Sequence, residues 1–446
     1  MLGRDLTHSE GGIIALGLFK RPWTNIDTAT KEFESLMREA FSPRYGVDVP
    51  MLRHATQVLY SYRYKSSGVE GALKSFFGEN LPLFGHTNNF PEPVKVGVIS
   101  IREEEGKPYL LANYTRNWIP SINSTSLSTE GTNLSVKDDY LQREENFKDE
   151  LMTWEAARCT SAAQTYFQPY YHQRTSRHYS DGALEFNNPV KIADWERRFI
   201  YPKNAHNYPD IVLSIGTGIQ AKFDSDSTLK EGKTNILMRK LVPKGLMGKI
   251  GVAAQTVRST LDCERQWRDF ANNIRYDPEL SARCHRLNVP LADKPPKLDD
   301  FGEIKGLKKE AANYLATKSA SDYISIIARQ LVASLFYFEP LSRSKKQEKY
   351  TWHGLLCCRL SPDMHEQFFK LIKRKPVFRV IQGDKVQDPL IHSTPTINFH
   401  MKTFISEVEV VLKECNVEIT IEISFQNQGN TEWNAISGFP RILEVS

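Results

Sequence analysis

The stretch from residue 7 to residue 18 reads Thr7-His8-Ser9-Glu10-Gly11-Gly12-Ile13-Ile14-Ala15-Leu16-Gly17-Leu18. One serine and two glycines precede an apolar run that is typical of a helix. This pattern matches the back half of a nucleophile elbow, the G-x-S-x-G turn between a strand and a helix, with Thr7 in place of the first glycine. The glycines permit a sharp turn, and the helix N-terminus directs N–H groups at a developing oxyanion. We therefore predict Ser9 as a nucleophile, and a helix-capping serine is the alternative.

Length and composition narrow the class of protein. The chain has 446 residues, of which 40% are hydrophobic and 25% are charged, which favours two domains with a large core. A net charge of +5 is small for this length, so nucleic acid is not an expected partner. The cysteines form no CxxC pair, so we expect reduced thiols, no zinc site and no cofactor. They are Cys159, Cys263, Cys284, Cys357, Cys358 and Cys415.

The start of the chain does not resemble a targeting segment. Arg4, Asp5 and Glu10 interrupt the region where a signal peptide would be apolar. The sequence contains no run of about 18 apolar residues, which a transmembrane helix would need. The expected location is cytoplasmic, with contact to membrane surfaces as a further expectation.

Helical and strand patterns alternate along the first 220 residues. Such alternation predicts a mostly parallel α/β sheet. A segment rich in Ser, Thr and Asn at residues 121–135 predicts a surface loop. The predicted helices begin near Thr24, Gly68, Trp154 and Val190, and the predicted strands cover Val94 to Val98, Tyr109 to Tyr114 and Tyr208 to Gly218.

A second candidate for chemistry lies at Ser180-Asp181-Gly182-Ala183. An aspartate before Gly-Ala, on a loop leading toward a helix, can be held with its carboxylate facing a cleft. The alternative is an ordinary turn-forming Asp-Gly pair. Asn188 and Pro189 then predict the N-cap and the first residue of the next helix.

The pattern in the last third of the chain differs from that of the first 220 residues, and it predicts a β-rich accessory region over residues 321–446. We expect a helix from Ser321, a strand at residues 335–338 and a polar linker at residues 343–349. Alternation at residues 417–423 predicts a strand with one wet face, and residues 408–412 are its expected partner. A helix from Ser361 would end in cations that favour either the helix dipole or acidic lipid headgroups. Those cations are Lys370, Lys373, Arg374 and Lys375.

Five motifs occur in one order and together resemble the patatin-like phospholipase family of lipid acyl hydrolases, in the form common in fungi. The similarity covers most of residues 1–220. The motifs are Ser9-x-Gly11-Gly12, Ala157-Arg158-x-Thr160-Ser161-Ala162-Ala163, Asp181-Gly182-Ala183, Asn187-Asn188-Pro189 and Pro209-Asp210-Ile211-Val212-Leu213-Ser214-Ile215-Gly216-Thr217-Gly218.

The resemblance implies a three-layer α/β/α sandwich with a mostly parallel sheet over residues 1–320. It implies a serine–aspartate dyad with Ser9 as nucleophile and Asp181 as base, supported by the motif residues Gly11, Gly12, Gly182 and Ala183. The substrate would be a lipid or phospholipid acyl ester at a membrane surface, and no metal would be needed. A carboxylate within hydrogen-bond reach can accept the serine proton directly. His8, His172 and His178 are then expected to serve packing or the surface.

One departure from the family bears on activity. A loop of the type D-G-G-G-x-R-G supplies oxyanion N–H groups in this family, and the sequence before Ser9 does not contain it. We therefore expect the first strand and this loop to be missing. Losing one oxyanion donor costs roughly a hundred- to a thousandfold in rate. Thr7 and the carboxylate of Glu10 beside the reacting serine add to the expectation of impaired hydrolysis. The alternative function is a catalytically inactive relative that binds lipid or a protein partner.

Overall fold

The computed structural model describes eighteen segments of the chain, and they group into two compact units. The first unit comprises Met1–Ile200, Ile215–Asn273 and Asn288–Tyr314, and the second comprises Tyr201–Ser214, Ile274–Leu287 and Leu315–Ser446. The predicted division into residues 1–320 and 321–446 stays a prediction. The described residues are 9–20, 26–41, 62–85, 94–114, 147–163, 166–182, 186–201, 208–220, 263–293, 295–346, 349–360, 368, 376–383, 385–387, 397–398, 403–412, 417–425 and 432–443.

The helices of the first unit follow the apolar periodicity of the sequence. In the second helix, Asp27 lies in the first turn and Arg38 in the last, as the helix dipole favours. The predicted loop at residues 121–135 lies outside the described residues. The helices and strands up to residue 200 are α1 (Ser9–Lys20), α2 (Ile26–Ala40), α3 (Ser66–Phe77), β1 (Gly97–Arg102), β2 (Lys107–Ala112), α4 (Thr153–Thr160), β3 (Tyr170–His172), β4 (Arg177–Asp181) and α5 (Val190–Ile200).

The four-stranded sheet of this unit corrects the expectation of a mostly parallel sheet. Its order is β2-β1-β4-β3, and every described pair is antiparallel. The physical reason is the shortness of two connections, which make hairpins and leave no room for a crossover helix. One turn places Gly106 at φ 61°, and the other places Ser176 at φ 54°. The three-layer arrangement remains a prediction.

Between α5 and residue 315, the described part of the chain forms four short strands and three α-helices. The strand predicted at residues 208–218 is confirmed in its centre. Between β6 and β8 the pairing is parallel. These elements are β5 (Val212–Ile215), β6 (Ile219–Gln220), α6 (Cys263–Ile274), α7 (Pro278–Ala282), β7 (Cys284–Leu287), β8 (Pro290–Leu291) and α8 (Ile304–Leu315).

The Gly216-x-Gly218 turn of the fifth motif encloses an asparagine. The Gly218 N–H donates to Oδ1 of Asn288 at 2.8 Å, and the Asn288 amide donates to Glu264 at 2.7 Å. A Cβ on Gly216 would lie 2.3 Å from the Asn288 side chain, and Gly218 has φ 107°. Packing against Asn288 therefore requires Gly216, whereas Gly218 is required by its positive φ and by its contact with Leu291.

The second unit contains two four-stranded antiparallel sheets that share one hydrophobic core. The sheet orders are β13-β14-β10-β9 and β12-β11-β15-β16. Phe336, Trp352 and Val410 from the first sheet lie in the same buried cluster as Phe378 and Ile421 from the second. This arrangement is a β-sandwich. Its elements are α9 (Lys318–Ala333), β9 (Phe336–Lys346), β10 (Lys349–Cys358), β11 (Pro376–Gln382), β12 (Lys385–Gln387), β13 (Ile397–Asn398), β14 (Thr403–Leu412), β15 (Ile419–Phe425) and β16 (Asn434–Ala435).

The β-rich character of this region is confirmed, but two local predictions are wrong. Residues 343–346 continue strand β9 and residue 349 opens β10, so the expected polar linker is part of a hairpin. Polar residues are typical there because β9 is an edge strand. The strand at residues 403–412 pairs with β10, whereas β15 pairs with β11, so the two expected partners lie in different sheets. Residues 361–367 and 369–375, which include the predicted cationic helix end, lie outside the described residues.

Within the described residues, no helix combines the length and the apolar character that crossing a membrane requires.

Candidate functional site

The helix predicted after the serine is present and begins at Ser9. Thr7 and His8, which complete the elbow pattern, lie outside the described residues. In the body of α1, Ile13 and Leu16 are buried in the core of the first unit. The apolar run behind the serine therefore anchors this helix.

Gly12 brings α1 into direct contact with the end of α4. A Cβ on Gly12 would lie 2.8 Å from Cγ2 and 3.0 Å from Oγ1 of Thr160, and 3.3 Å from Val98. The Thr160 hydroxyl donates to the Ile99 carbonyl at 2.8 Å, which fixes this side chain. A Cβ on Gly11, by contrast, would meet nothing within 4 Å. The second glycine of the motif is thus the one that packing requires.

Asp181 is the last residue of β4, so it ends a strand where the sequence predicted a loop. It lies opposite Ser100 of β1 and is 3% exposed. Its backbone N–H donates to the Ala162 carbonyl at 3.1 Å, just beyond the end of α4. The fold therefore brings Asp181 and the helix that begins at Ser9 to the same end of α4.

Gly182 lets the chain after Asp181 lie against β1. A Cβ on Gly182 would lie 2.9 Å from Cγ2 and 3.0 Å from the carbonyl oxygen of Ile99. Because a backbone atom is one of the obstacles, a larger residue would push the aspartate segment away from the sheet. Ala183, the third residue of this motif, lies outside the described residues.

A polar network holds the other end of α4. The Glu155 carboxylate accepts hydrogen bonds from the Met152 N–H at 2.7 Å, from Arg174 at 2.5 Å and from the Tyr170 hydroxyl at 3.0 Å. Burial and the nearby Glu155 raise the pKa of Tyr170. His172 is 1% exposed beside Glu155, so its packing role is confirmed.

Arg158, from the second motif, belongs to α4, and its side chain is completely buried. Its Nη2 donates to the Gln168 carbonyl at 2.6 Å, and its Nε lies 3.5 Å from Glu70. Burial lowers the pKa of this guanidinium, against the opposing charge of Glu70. The contacts of Glu155 and Arg158 leave no pattern in the sequence, because their partners lie on separate elements. These contacts fix the position of α4, and the candidate site lies at the Thr160 end of this helix.

A small apolar cavity of about 20 Å³ lies beside α1. This is room for about one water molecule, and its almost wholly apolar wall favours a dry space. An acyl chain could enter only if lining side chains moved. The cavity is lined by Ile13, Leu36, Met37, Ala40, Phe41, Val69, Leu73, Ser161, Phe167 and Leu298.

The Asn187-Asn188-Pro189 motif follows Asp181 and opens α5. Asn188 Oδ1 accepts from the Val190 N–H at 3.3 Å, so the predicted capping role of Asn188 is confirmed. Asn187 is 3% exposed, and within the described segments neither polar atom of its side chain has a hydrogen-bond partner. In the part of the chain that the structure describes, no group of three His, Cys, Asp or Glu residues is placed to hold a metal ion.

Comparison with known proteins gives one informative result. Neither the search of curated proteins nor the search of solved structures returned a match. A family model described as Patatin-like phospholipase matches residues 9–194, a range that contains both Ser9 and Asp181 and ends before the Pro209–Gly218 motif. Over residues 9–194, the chain is therefore similar to the patatin-like phospholipase family.

Proposed function

We propose that this chain hydrolyses fatty acyl esters of lipids, with Ser9 as nucleophile and Asp181 as base. The observation that carries the proposal is that α1 and the Asp181 backbone both contact the end of α4. Gly12 of the Ser9 helix lies against Thr160, and the Asp181 N–H bonds to Ala162. The helix that begins at Ser9 and the backbone of Asp181 thus both contact the end of α4, and these contacts support the proposed pair.

The chemistry needs a proton acceptor for the serine hydroxyl. As Ser9 Oγ attacks the ester carbonyl carbon, its proton passes to the Asp181 carboxylate, and the alcohol then leaves with a proton. An acyl-enzyme remains, and water activated by the same carboxylate releases the fatty acid.

Glu10 bears on the rate of this reaction. It directly follows Ser9 in the sequence, and a second negative charge beside a developing oxyanion is unfavourable. We expect slow turnover in the natural chain and faster turnover in Glu10→Gln. This expectation concerns rate alone, because the glutamine keeps the size and hydrogen-bonding capacity of the side chain.

To reach a substrate that is part of a lipid aggregate, the protein must contact the lipid surface. We infer peripheral contact with membranes during turnover. Hydrolysis that rises sharply when a phospholipid passes from monomers to vesicles would support this inference, and equal rates on both forms would contradict it.

The experiment that tests the function is fluorophosphonate labelling of the full chain, with the adduct located by mass spectrometry. We expect one adduct on Ser9, none in Ser9→Ala and slower labelling in Asp181→Asn. Ser66→Ala is a matched control, because Ser66 also begins a helix and is followed by glycine two positions later. A folded wild-type chain without an adduct would favour the alternative, an inactive relative that binds lipid or a protein partner.

A further inference from the structure

Asn187 is a buried polar residue that the fold itself does not explain. Its side chain is 3% exposed, and both Oδ1 and Nδ2 are buried without a hydrogen-bond partner among the residues that the structure describes. A buried amide without partners loses its hydration and gains nothing in return, so such groups are rare. Native proteins tend to keep local conflicts of this kind at functional sites.

The position of Asn187 places it beside the aspartate segment. The Phe186 N–H donates to the Gly182 carbonyl at 3.0 Å, which closes a turn that begins one residue after Asp181. Both ends of this turn contact the same part of β1, because Gly182 lies against Ile99 and Phe186 packs on the cluster that contains Ile99. Asn187 directly follows this closed turn.

Helix capping does not account for Asn187. The neighbouring Asn188 supplies the side-chain acceptor at the start of α5, at 3.3 Å from the Val190 N–H. Another asparagine of the first unit, Asn113, is equally buried but has hydrogen-bond partners. Asn113 is also 3% exposed, and it accepts from the Val96 N–H at 2.8 Å and donates to the Val94 carbonyl at 2.9 Å.

We propose that the Asn187 carboxamide is a catalytic residue that binds the ester group of the acyl substrate. Nδ2 donates a hydrogen bond to the carbonyl oxygen as Ser9 attacks and negative charge develops there. Hydrogen bonds to charged acceptors are stronger than those to neutral ones, so the bond strengthens in the transition state. The inference rests on the proposed function, because it assigns a partner within the same site.

The test measures stability and kinetics together in three variants of the full chain. Asn187→Ala removes a group that makes no hydrogen bond in the free protein. We expect its melting temperature to stay within a few degrees of wild type while kcat for a p-nitrophenyl fatty acyl ester falls roughly a hundredfold, with little change in KM. Asn113→Ala is the matched control, and we expect a lower melting temperature with kcat unchanged.

Asn187→Asp keeps the shape of the side chain and is a second variant that lacks the donor. It replaces the donor with a carboxylate, so we expect kcat to fall at least as far as in Asn187→Ala. Wild-type kcat in either Asn187 variant, with wild type labelled at Ser9, would overturn this inference and leave the proposed function intact. A melting temperature lowered as much as in Asn113→Ala would make Asn187 structural. An unlabelled wild type would overturn both proposals.

Discussion

Gly12 and Thr160 are in such close contact that a single added carbon on Gly12 would lie 2.8 Å from Cγ2 of Thr160. The threonine cannot turn aside at low cost, because its hydroxyl is bonded to the Ile99 carbonyl at 2.8 Å. The pair therefore sets the distance between α1 and the end of α4, and the Asp181 backbone is attached at the same end.

We expect Gly12→Ala to destabilise the protein by about 1–3 kcal/mol, the usual range for overpacking a closed contact. The cause is the overlap with Thr160 and Val98, which forces α1 outward. Urea denaturation followed by circular dichroism measures the free energy of unfolding. Labelling at Ser9 is expected to slow as well, because the helix carries that residue.

Two controls isolate the overlap. Gly11→Ala adds the same atom where nothing lies within 4 Å, and within a helix alanine is favoured over glycine by up to about 1 kcal/mol. In Gly12→Ala combined with Thr160→Ser, the nearest methyl is removed while the hydroxyl is kept. Equal stabilities of the two glycine variants, or no recovery in the double variant, would refute the contact as the cause.

The pair formed by Tyr64 and Asp299 makes stability depend on alkaline pH. The Tyr64 hydroxyl donates to Asp299 Oδ2 at 2.8 Å, and burial together with this bond raises the pKa of Tyr64 above its ordinary value of 10.0. The folded protein therefore keeps a proton that the unfolded chain loses near pH 10. The resulting stability is complete below that pH and is lost as pH rises toward the folded-state pKa.

We expect Tyr64→Phe to lower the free energy of unfolding at neutral pH by about 1–2 kcal/mol and to weaken its decline above pH 10. Urea titrations at several alkaline pH values measure both effects. Tyr276→Phe is the control, since Tyr276 is 81% exposed. An alkaline decline of unchanged slope in Tyr64→Phe would show that another group carries it.

Helices were predictable because their signal is local. The apolar spacing behind Thr24 and the capping pair Asn188-Pro189 gave α2 and α5 to within two residues. Strand pairing was not predictable in the same way, because the partner of a strand is set by contacts distant in sequence. Val410 and Ile421 have the same alternating pattern, and only the structure assigns them to different sheets.

Some residues of the candidate site were predictable from the sequence and others were not. Ser9 and Asp181 stand out because their motifs contain glycines whose close contacts demand them, as Gly12 and Gly182 show. Arg174 gave no sequence signal, because its contact with Glu155 exists only once a hairpin folds over α4. Asn187 gave no separate signal either, because its motif predicts a helix cap and the neighbouring Asn188 supplies that cap.

Cys159 is expected to be unreactive in the folded protein. It is completely buried in the core, and burial raises the pKa of its thiol well above the ordinary value. Since the thiolate is the reactive form, iodoacetamide should modify the partly exposed Cys263 and Cys284 first. Peptide mass spectrometry over time measures the order. Native modification of Cys159 as fast as that of Cys263 would mean that the core opens readily.

Asp210, from the fifth motif, holds the C-terminal segment of the second unit. Its carboxylate accepts from the Ser437 hydroxyl at 2.7 Å and from the Gly438 N–H at 3.0 Å. Ser437 in turn donates its own N–H to the Phe336 carbonyl at 2.9 Å. The segment around residue 437 therefore depends on Asp210 for its placement against strand β9.

We expect Asp210→Ala to lower the free energy of unfolding of the second unit by about 2 kcal/mol, because two hydrogen bonds to a charged acceptor are lost. Hydrogen–deuterium exchange at residues 436–441 should accelerate before exchange elsewhere in the β-sandwich. Asp210→Asn retains one acceptor oxygen and should show a smaller effect. Asp322→Ala, an exposed position on α9, is the control and should exchange like wild type. Unchanged protection at residues 436–441 in Asp210→Ala would mean that the strand contacts alone fix the segment.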